Sequence, residues 1–513
     1  MPTDFLSTLV AGDERSRRFL ARRGHFAVAA TLLLGAASLY SGLGRYDDFY
    51  DAGVYLESAR MMLRDYHPYS TIFDSQPPLW LPFVYTSFRL FGASFFAAQS
   101  STAATGILVA LATALAVRQL AGWGAAALAT AAVMLSPLEF SMSRTVSPEV
   151  PASALSLVAI ACAMAYARCG DRRALGLAAA FVTCSSMIKL LGLFTFPGLA
   201  LLIAARHWND TRVGRRRRAA LIAADGAIVL AISGALVLAL LFYFGAADVW
   251  HQAVEFHWVA RSAIASDPLA HRLNLLEQLF AREHLLGALA ILAMLSTTAG
   301  TEGLALFGWL LITAIGLLFH QPLFEHHLVM LIPPIAIAGS VGWARLSDIA
   351  KKTHRWNNLL SIMLSAGLPL LVDAGILALL VIALANRPDS RDVAAWQSAS
   401  LAPDHAAAQT IARLTAPNDT IVTDAQGIAF LANRDVPPEL TDTSFVRIAT
   451  GYLTLPEVIA YTQRADAQLL MLWSGRLATL PGMRQWAASH FPYRVSMGAG
   501  RELYSMRPIA PPP

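Results

Sequence analysis

Carboxylate and aromatic side chains alternate along residues 45–80. The acidic residues of this segment are Asp47, Asp48, Asp51, Glu57, Asp65 and Asp74. A carboxylate that reaches the proton of a hydroxyl group can act as a general base. The interleaved tyrosine and tryptophan side chains are typical of the boundary between membrane and water. The pattern predicts a surface for a polar group on a lipid anchor, and a solvated acidic loop is the alternative for any single carboxylate.

Four basic side chains beside apolar runs are candidates for binding a phosphate group: Arg144, Lys189, His326 and His327. Lys189 interrupts the run SSMIKLLGLF, and a lysine at membrane depth usually marks a functional site. Arg144 lies in a short loop, and the two histidines precede a late apolar run. The alternatives are a lysine that extends to the membrane surface and histidines that bind nothing.

Glu149 begins an apolar run between Pro148 and Pro151. An acidic residue in the first turn of a helix is favoured by the helix dipole, which is one interpretation. The other is a second catalytic carboxylate that shares a cavity with Asp51.

The composition identifies the kind of chain that must position these residues. Hydrophobic residues make up 56% of the 513 positions and charged residues 14%, whereas soluble domains carry about 25% charged residues. A soluble globular enzyme, a disordered scaffold and a nucleic-acid-binding protein are excluded. The net charge of +5 comes from basic clusters before the first apolar run and between later ones, as in the cytoplasmic segments of membrane proteins. The chain is predicted to be a multi-pass membrane protein.

About eleven apolar runs are predicted to cross the membrane: seven are long enough for a span of about 17–25 residues, and the runs 174–188, 190–205, 284–299 and 303–319 are shorter than the other seven. The full set is 26–44, 96–117, 122–140, 149–167, 174–188, 190–205, 219–245, 284–299, 303–319, 328–345 and 362–385. The positive-inside rule places the N-terminus in the cytoplasm and residues 45–95 outside. Pro77–Gly92 is then an interfacial helix, because a twelfth span there would put the arginine-rich loops outside.

The composition beyond Arg387 is that of a soluble segment in which helix-like and strand-like runs alternate. Such alternation predicts a small α/β domain. We therefore expect a membrane domain over residues 1–386 and an extracytoplasmic α/β domain over residues 387–513.

Short stretches of the first loop carry a family resemblance. They read Asp51-Ala52-Gly53-Val54-Tyr55, Ala59-Arg60, His67-Pro68-Tyr69 and Asp74-Ser75-Gln76-Pro77-Pro78-Leu79. This series resembles the first-loop signature of GT-C membrane glycosyltransferases, especially protein O-mannosyltransferases and lipid A aminoarabinose transferases. The resemblance implies a mainly α polytopic bundle that transfers a sugar from a polyprenyl-phosphate donor, with inversion. The acceptor would be a hydroxyl group of a protein, lipid or glycan.

The resemblance also implies roles for single residues. Asp51 matches the acidic residue that serves as base, with Asp47 or Asp48 as alternatives, and Tyr55 and Asp74 lie where substrate is bound. The sequence departs from the pattern at Ala52, where relatives carry Glu, and at Gln76, where relatives carry a lysine expected to contact the donor phosphate. Glutamine cannot neutralise that charge, so one of the basic candidates must compensate.

Two other functions fit the same sequence. A secondary transporter or flippase of lipid-linked sugars would also have many spans, and a ligase or polymerase of lipid-linked sugars would need a similar loop. No firm metal-ligand set is present, and a divalent cation is left open. Frequent alanine and arginine indicate a GC-rich bacterial genome, hence a bacterial inner membrane.

Overall fold

The computed structural model describes residues 14–210, 212–263, 268–352 and 391–509, with a few positions between 375 and 382. Its helices before residue 353 are Glu14–Tyr40, Tyr50–Met62, Trp80–Phe91, Phe95–Met134, Pro137–Arg144, Glu149–Cys169, Arg172–Ile188, Thr195–Trp208, Arg215–Phe244, Ala246–Trp250, Phe256–Ala263, Leu269–Arg282, His284–Ala293, Gly300–Phe319 and Ile332–Lys352. The 3-10 turns Leu190–Phe194, Met294–Thr298 and Glu325–Leu331 and the π-turn His251–Glu255 interrupt or join them. The prediction of a mainly α membrane bundle is confirmed.

The helices begin and end where the sequence offers caps. The Ser94 side chain accepts a hydrogen bond from the backbone of Ala97 and starts the helix Phe95–Met134. Gly170 adopts a left-handed conformation, with φ of 74°, and ends the helix Glu149–Cys169. Glycine reaches that conformation without the steric cost that a Cβ atom brings.

Ten of the eleven predicted runs lie mostly in helices of the described residues. In the described part of the chain, six helices are long and apolar enough to cross a membrane, or seven if the pair Leu269–Arg282 and His284–Thr298, bent by 109°, is one span. The helix Phe95–Met134 is broken at Gly122, where the backbone is not helical, so its two parts correspond to the predicted runs 96–117 and 122–140, the second of which continues past Met134. The run 174–188 forms a helix of only 17 residues. The run 362–385 falls almost wholly outside the described residues.

The segment Pro77–Gly92 forms the helix Trp80–Phe91, which has 12 residues. At 1.5 Å per residue the helix is about 18 Å long, shorter than a hydrocarbon core of about 30 Å. It therefore does not cross a membrane by itself.

The C-terminal region contains the helices Arg391–Leu414, Gln426–Leu431, Phe445–Ala449, Leu455–Arg464 and Met483–His490. Its strands are β1 (Ile421–Thr423), β2 (Leu469–Leu472), β3 (Tyr493–Gly498) and β4 (Arg501–Ser505), in the order β1-β2-β4-β3. The pair β1–β2 is parallel and the other two pairs are antiparallel. Alternate residues of β2 pack into two apolar clusters, so both faces of the sheet are covered. The small α/β element of the predicted fold is confirmed; the predicted division near residue 387 lies outside the described residues.

The C-terminal region packs against the first-loop helix, Tyr50–Met62. Gly53 contacts Gly427 so closely that a Cβ atom on Gly53 would clash with the Gly427 backbone nitrogen. The Arg60 guanidinium donates to the carbonyl oxygens of Phe430 and Arg434, each at 3.0 Å. These contacts fix the first loop from the side of the C-terminal region.

Candidate functional site

A buried carboxylate surrounded by basic groups forms the centre of the site. Glu149 is the first residue of a helix and Lys189 is the residue at which the helix Arg172–Ile188 ends. The Lys189 Nζ lies 2.9 Å from Glu149 Oε1, with both side chains largely buried. His326 and His327, in the turn Glu325–Leu331, place their Nε2 atoms 3.8 Å and 4.0 Å from the same oxygen. Three separate predictions thus converge on one cluster.

The end of the first loop lies against this cluster. The backbone nitrogen of Leu79 donates to the carbonyl of Met187, two residues before Lys189, at 2.8 Å. Asp74 accepts a hydrogen bond from the Gln76 backbone at 2.9 Å, and its other carboxylate oxygen is buried without a partner in the described part of the chain. Burial raises the pKa of Asp74 well above its ordinary value. The Gln76 side-chain amide donates a hydrogen bond to the Ser75 hydroxyl at 3.4 Å.

His257 packs against the same stretch from the segment that follows residue 245. Its Nε2 lies 2.9 Å from the carbonyl oxygen of Ser75. Burial lowers the pKa of His257 to about 4, so the imidazole is neutral near pH 7 and its N–H donates this hydrogen bond. His257 therefore fixes the loop backbone and adds no positive charge to the site.

Asp51 lies in the first turn of the first-loop helix, within electrostatic range of the central cluster. Burial raises the pKa of Asp51 to about 6, against the opposing effect of Lys189. Glu149 and Asp442 raise this pKa further, and Arg476 lowers it. A carboxyl group with a pKa near 6 is ionised at neutral pH and is still basic enough to accept a proton.

The alternative acids of the loop differ from Asp51 in their surroundings. Asp47 accepts a hydrogen bond from the backbone of Phe49 at 3.2 Å, and burial raises its pKa to about 6. Asp48 is exposed. The charge that acts most on Asp47 is that of Asp48, not that of Lys189 or Glu149.

Arg144 binds backbone carbonyl oxygens at the end of the first helix. The Arg144 guanidinium donates to the carbonyl oxygens of Ser38, Leu39 and Ser41 at 2.7–3.2 Å. Those bonds hold the end of the helix Glu14–Tyr40, so we do not include Arg144 among the phosphate-binding groups.

The buried Tyr55 ring packs edge-on against Trp80, at 5.1 Å between centroids.

The C-terminal region contributes groups that the sequence analysis missed. The Arg476 guanidinium stacks on the ring of Tyr50, 3.7 Å from its centroid. The Tyr50 hydroxyl donates to Asp442 Oδ1 at 3.3 Å and accepts from the Thr443 backbone at 3.0 Å. Tyr50 immediately precedes Asp51, so Arg476 and Asp442 border the candidate base. The sequence could not link Arg476 or Asp442 to Tyr50, because both lie in a distant segment of the chain.

One set of side chains has the donors and spacing for a metal ion. The ligand atoms of Glu149, His326 and His327 all lie within 4.8 Å of one another. A carboxylate and two imidazoles suit Zn²⁺ or a similar ion. The Lys189 ammonium already contacts the carboxylate oxygen that such an ion would need. The set therefore fits a metal ion only if Lys189 moves away.

Comparison with known proteins gives one family match. Residues 65–251 match the family model of dolichyl-phosphate-mannose-protein mannosyltransferase. The matched region includes Asp74, Glu149 and Lys189 but begins after Asp51. No curated protein matches the chain by sequence.

Solved structures match nearly the whole chain. ArnT from Cupriavidus metallidurans in the apo state is 16% identical, with a TM-score of 0.63 over 94% of this chain and 97% of ArnT. ArnT bound to undecaprenyl phosphate matches with 16% identity and a TM-score of 0.64 over 95% of this chain and 99% of ArnT. The Archaeoglobus fulgidus oligosaccharyltransferase in complex with Zn and sulfate is 14% identical, with a TM-score of 0.52 over 87% of this chain and 67% of that chain.

These likenesses confirm the resemblance drawn from the first loop. The structural matches show the fold, and the family match supports glycosyltransferase activity. The chain is a multi-pass membrane protein with the fold of the GT-C glycosyltransferases, similar over residues 65–251 to the protein mannosyltransferases.

Proposed function

We propose that the chain transfers a sugar from a polyprenyl-phosphate donor to an acceptor hydroxyl on the outer side of a bacterial plasma membrane. The observation that carries the proposal is a candidate base, Asp51, within electrostatic range of a buried cation, Lys189, that pairs with Glu149. Support for the donor class comes from ArnT, a structural match that binds undecaprenyl phosphate. In this topology the N-terminus lies in the cytoplasm and the C-terminal region outside.

The reaction we propose is a single displacement. The acceptor oxygen attacks the anomeric carbon, and the bond from that carbon to the phosphate oxygen breaks on the opposite side, which inverts the centre. Asp51 takes the acceptor proton, and the electron pair of the broken bond leaves with the polyprenyl phosphate. The products are the glycosylated acceptor and polyprenyl phosphate, so no oxidant or further reactant is needed.

Lys189 is the group proposed to stabilise the leaving phosphate. It takes over the role that Gln76, as a neutral side chain, cannot perform. Glu149 holds the ammonium in place, and His326 and His327 border the same oxygen. A preorganised cation in a site with little water stabilises developing negative charge strongly.

The C-terminal region is proposed to complete the site from the aqueous side. Arg476 lies on the Tyr50 ring, and no carboxylate lies within salt-bridge distance of it in the described part of the chain. It can therefore contact an anionic or hydroxyl-rich part of the substrate near Asp51. Asp442 fixes Tyr50 beneath it.

A transfer assay tests the proposal. The purified protein is incubated in detergent with a panel of radiolabelled polyprenyl-phosphate sugars and a crude membrane acceptor. We expect release of polyprenyl phosphate together with label in the acceptor. Movement of intact donor across liposomes without any release would contradict the proposal and favour the flippase.

A further inference from the structure

A groove runs along the flank of the bundle between the helices Phe95–Met134 and Glu149–Cys169. Its volume is about 680 Å³, within the range of about 300–1,000 Å³ for small-molecule sites. Most of its lining is aliphatic and includes Leu108, Leu115 and Val158. Such walls suit a hydrocarbon chain.

One end of the groove carries two arginines. Arg118 and Arg168 both belong to its lining. Within the described residues no carboxylate lies at salt-bridge distance from either guanidinium, and Arg118 stacks on Trp123 at 4.9 Å from the ring centroid. The Gln119 side chain donates to the carbonyl oxygen of Ala161 at 3.1 Å and bridges the two helices at this end. The groove thus combines apolar walls with an uncompensated positive end.

The arginine end lies on the opposite side of the bundle from the candidate functional site. Arg168 follows Glu149 by 19 residues of a continuous helix, which corresponds to about 28 Å at 1.5 Å per residue. A lipid whose phosphate reacts beside Lys189 cannot have that phosphate between Arg118 and Arg168. The groove is therefore a separate feature of the molecule.

We propose that this groove is a binding site for an anionic glycerophospholipid. An acyl chain lies along the aliphatic walls, and the phosphate contacts both guanidinium groups. Arginine is well suited to phosphate because its planar fork donates two parallel hydrogen bonds. Free phosphate would contact only the arginine end of the groove and leave the aliphatic walls unused. A zwitterionic lipid fits less well than an anionic one, because its headgroup would place a positive charge near the two arginines.

The charge of the groove's end is tested by two double variants. The protein is delipidated, returned to nanodiscs and titrated with phosphatidylglycerol or with phosphatidylcholine of the same chains, and bound lipid is counted by native mass spectrometry. We expect phosphatidylglycerol to bind preferentially. Arg118→Gln with Arg168→Gln should weaken its binding roughly 10- to 30-fold, whereas Arg118→Lys with Arg168→Lys, which keeps both charges, should weaken it far less.

The apolar part is tested by filling the groove. Ala165 lines it and is only partly buried, so Ala165→Phe should occupy the space of the chain and abolish retention of phosphatidylglycerol. Size-exclusion profiles matching the unaltered protein establish that each variant is folded. Competition with inorganic phosphate and with undecaprenyl phosphate distinguishes the other sources of the same headgroup chemistry, and neither should displace the phospholipid at equal concentration.

Several outcomes would overturn the proposal. They are equal binding of both phospholipids, unchanged binding in the glutamine or phenylalanine variants, and displacement by phosphate alone or by undecaprenyl phosphate. None of these measurements depends on sugar transfer, so a failure here is distinguishable from a failure of the proposed function.

Discussion

The contact between Lys189 and Glu149 allows the structural role of the lysine to be separated from its chemical role. In Lys189→Met the ammonium is lost while a side chain of similar length remains. The Glu149 carboxylate, 1% exposed, then has no lysine to pair with. In the double variant Lys189→Met with Glu149→Gln, both charges are gone and no buried charge is left unpaired.

The expected loss of stability follows from that burial. Removing one partner of a buried ion pair costs about 3–5 kcal/mol, because the remaining charge is uncompensated. At about 2 °C per kcal/mol for a large domain, the midpoint of thermal unfolding should fall by about 6–10 °C.

The assay combines thermal unfolding in detergent with sugar transfer by the same preparations. We expect Lys189→Met to be both less stable and inactive. The double variant should regain the midpoint of the unaltered protein within about 2 °C, yet transfer should stay at least about 100-fold lower, the loss typical when one stabilising group is removed from a catalytic site. Full activity in the double variant, or an unchanged midpoint in Lys189→Met, would refute the reasoning.

Four further predictions concern the acid, the C-terminal region and metal ions. The pKa of Asp51 is raised to about 6, and only the ionised carboxylate is a base. The value of kcat/KM should therefore rise with pH, reach half its maximum near pH 6 and be lost below pH 6. A pH profile that is flat from pH 5 to 8 would contradict the assignment of Asp51 as the base. Arg476→Gln should lower kcat/KM roughly tenfold or more, because a charged contact is lost. The control Arg464→Gln alters an exposed ion pair and should leave kcat/KM unchanged. Equal kcat/KM values in the two variants would show that Arg476 is not part of the site. Gly53→Val should separate the first loop from Gly427 and lower both activity and stability, while a fully stable and active variant would show that this close contact is dispensable. A metal chelator should change activity less than about twofold, because the Lys189 ammonium already neutralises the buried Glu149 carboxylate. Complete loss of activity that Zn²⁺ restores would show that a metal ion binds Glu149 in place of the ammonium.

The central cluster could be predicted in part because its members lie at the ends of apolar runs. Glu149 begins one run, Lys189 ends another and His326 precedes a third. Ends of successive antiparallel spans meet at the same side of a membrane, so charge placement alone brought these residues to one face. Their distances could not be predicted, because they depend on the extended backbone at Lys189 and on the 3-10 turn Glu325–Leu331.

The contribution of the C-terminal region could not be predicted from the sequence. Tyr50 and Asp442 are 392 residues apart, and no periodicity or motif relates them. The close contact at Gly53 was equally hidden, since the glycine reads as part of a loop signature. The use of Arg144 in holding three backbone carbonyls was also missed, because an arginine in an outer loop looks the same in sequence whether it binds phosphate or backbone.

The exact limits of the spans could not be predicted, for a physical reason. Hydropathy measures the length of an apolar run but not whether the backbone continues through it. The helix Phe95–Met134 continues through a charged position, Arg118, and breaks only at Gly122. The helices Leu269–Arg282 and His284–Ala293 bend sharply between two charged residues. Such breaks depend on packing between helices, which the hydropathy of a single run does not record.

The most direct test of the proposed base compares Asp51→Asn with Asp48→Asn. Both variants remove one carboxylate from the same loop, but Asp48 is exposed, whereas Asp51 lies within electrostatic range of the buried cation Lys189. The measurement is the rate of polyprenyl-phosphate release in the presence of acceptor, together with binding of the labelled donor. We predict that Asp51→Asn binds donor and loses at least about 100-fold in rate, whereas Asp48→Asn keeps both. Undiminished release by Asp51→Asn would contradict the account and assign the base to another carboxylate.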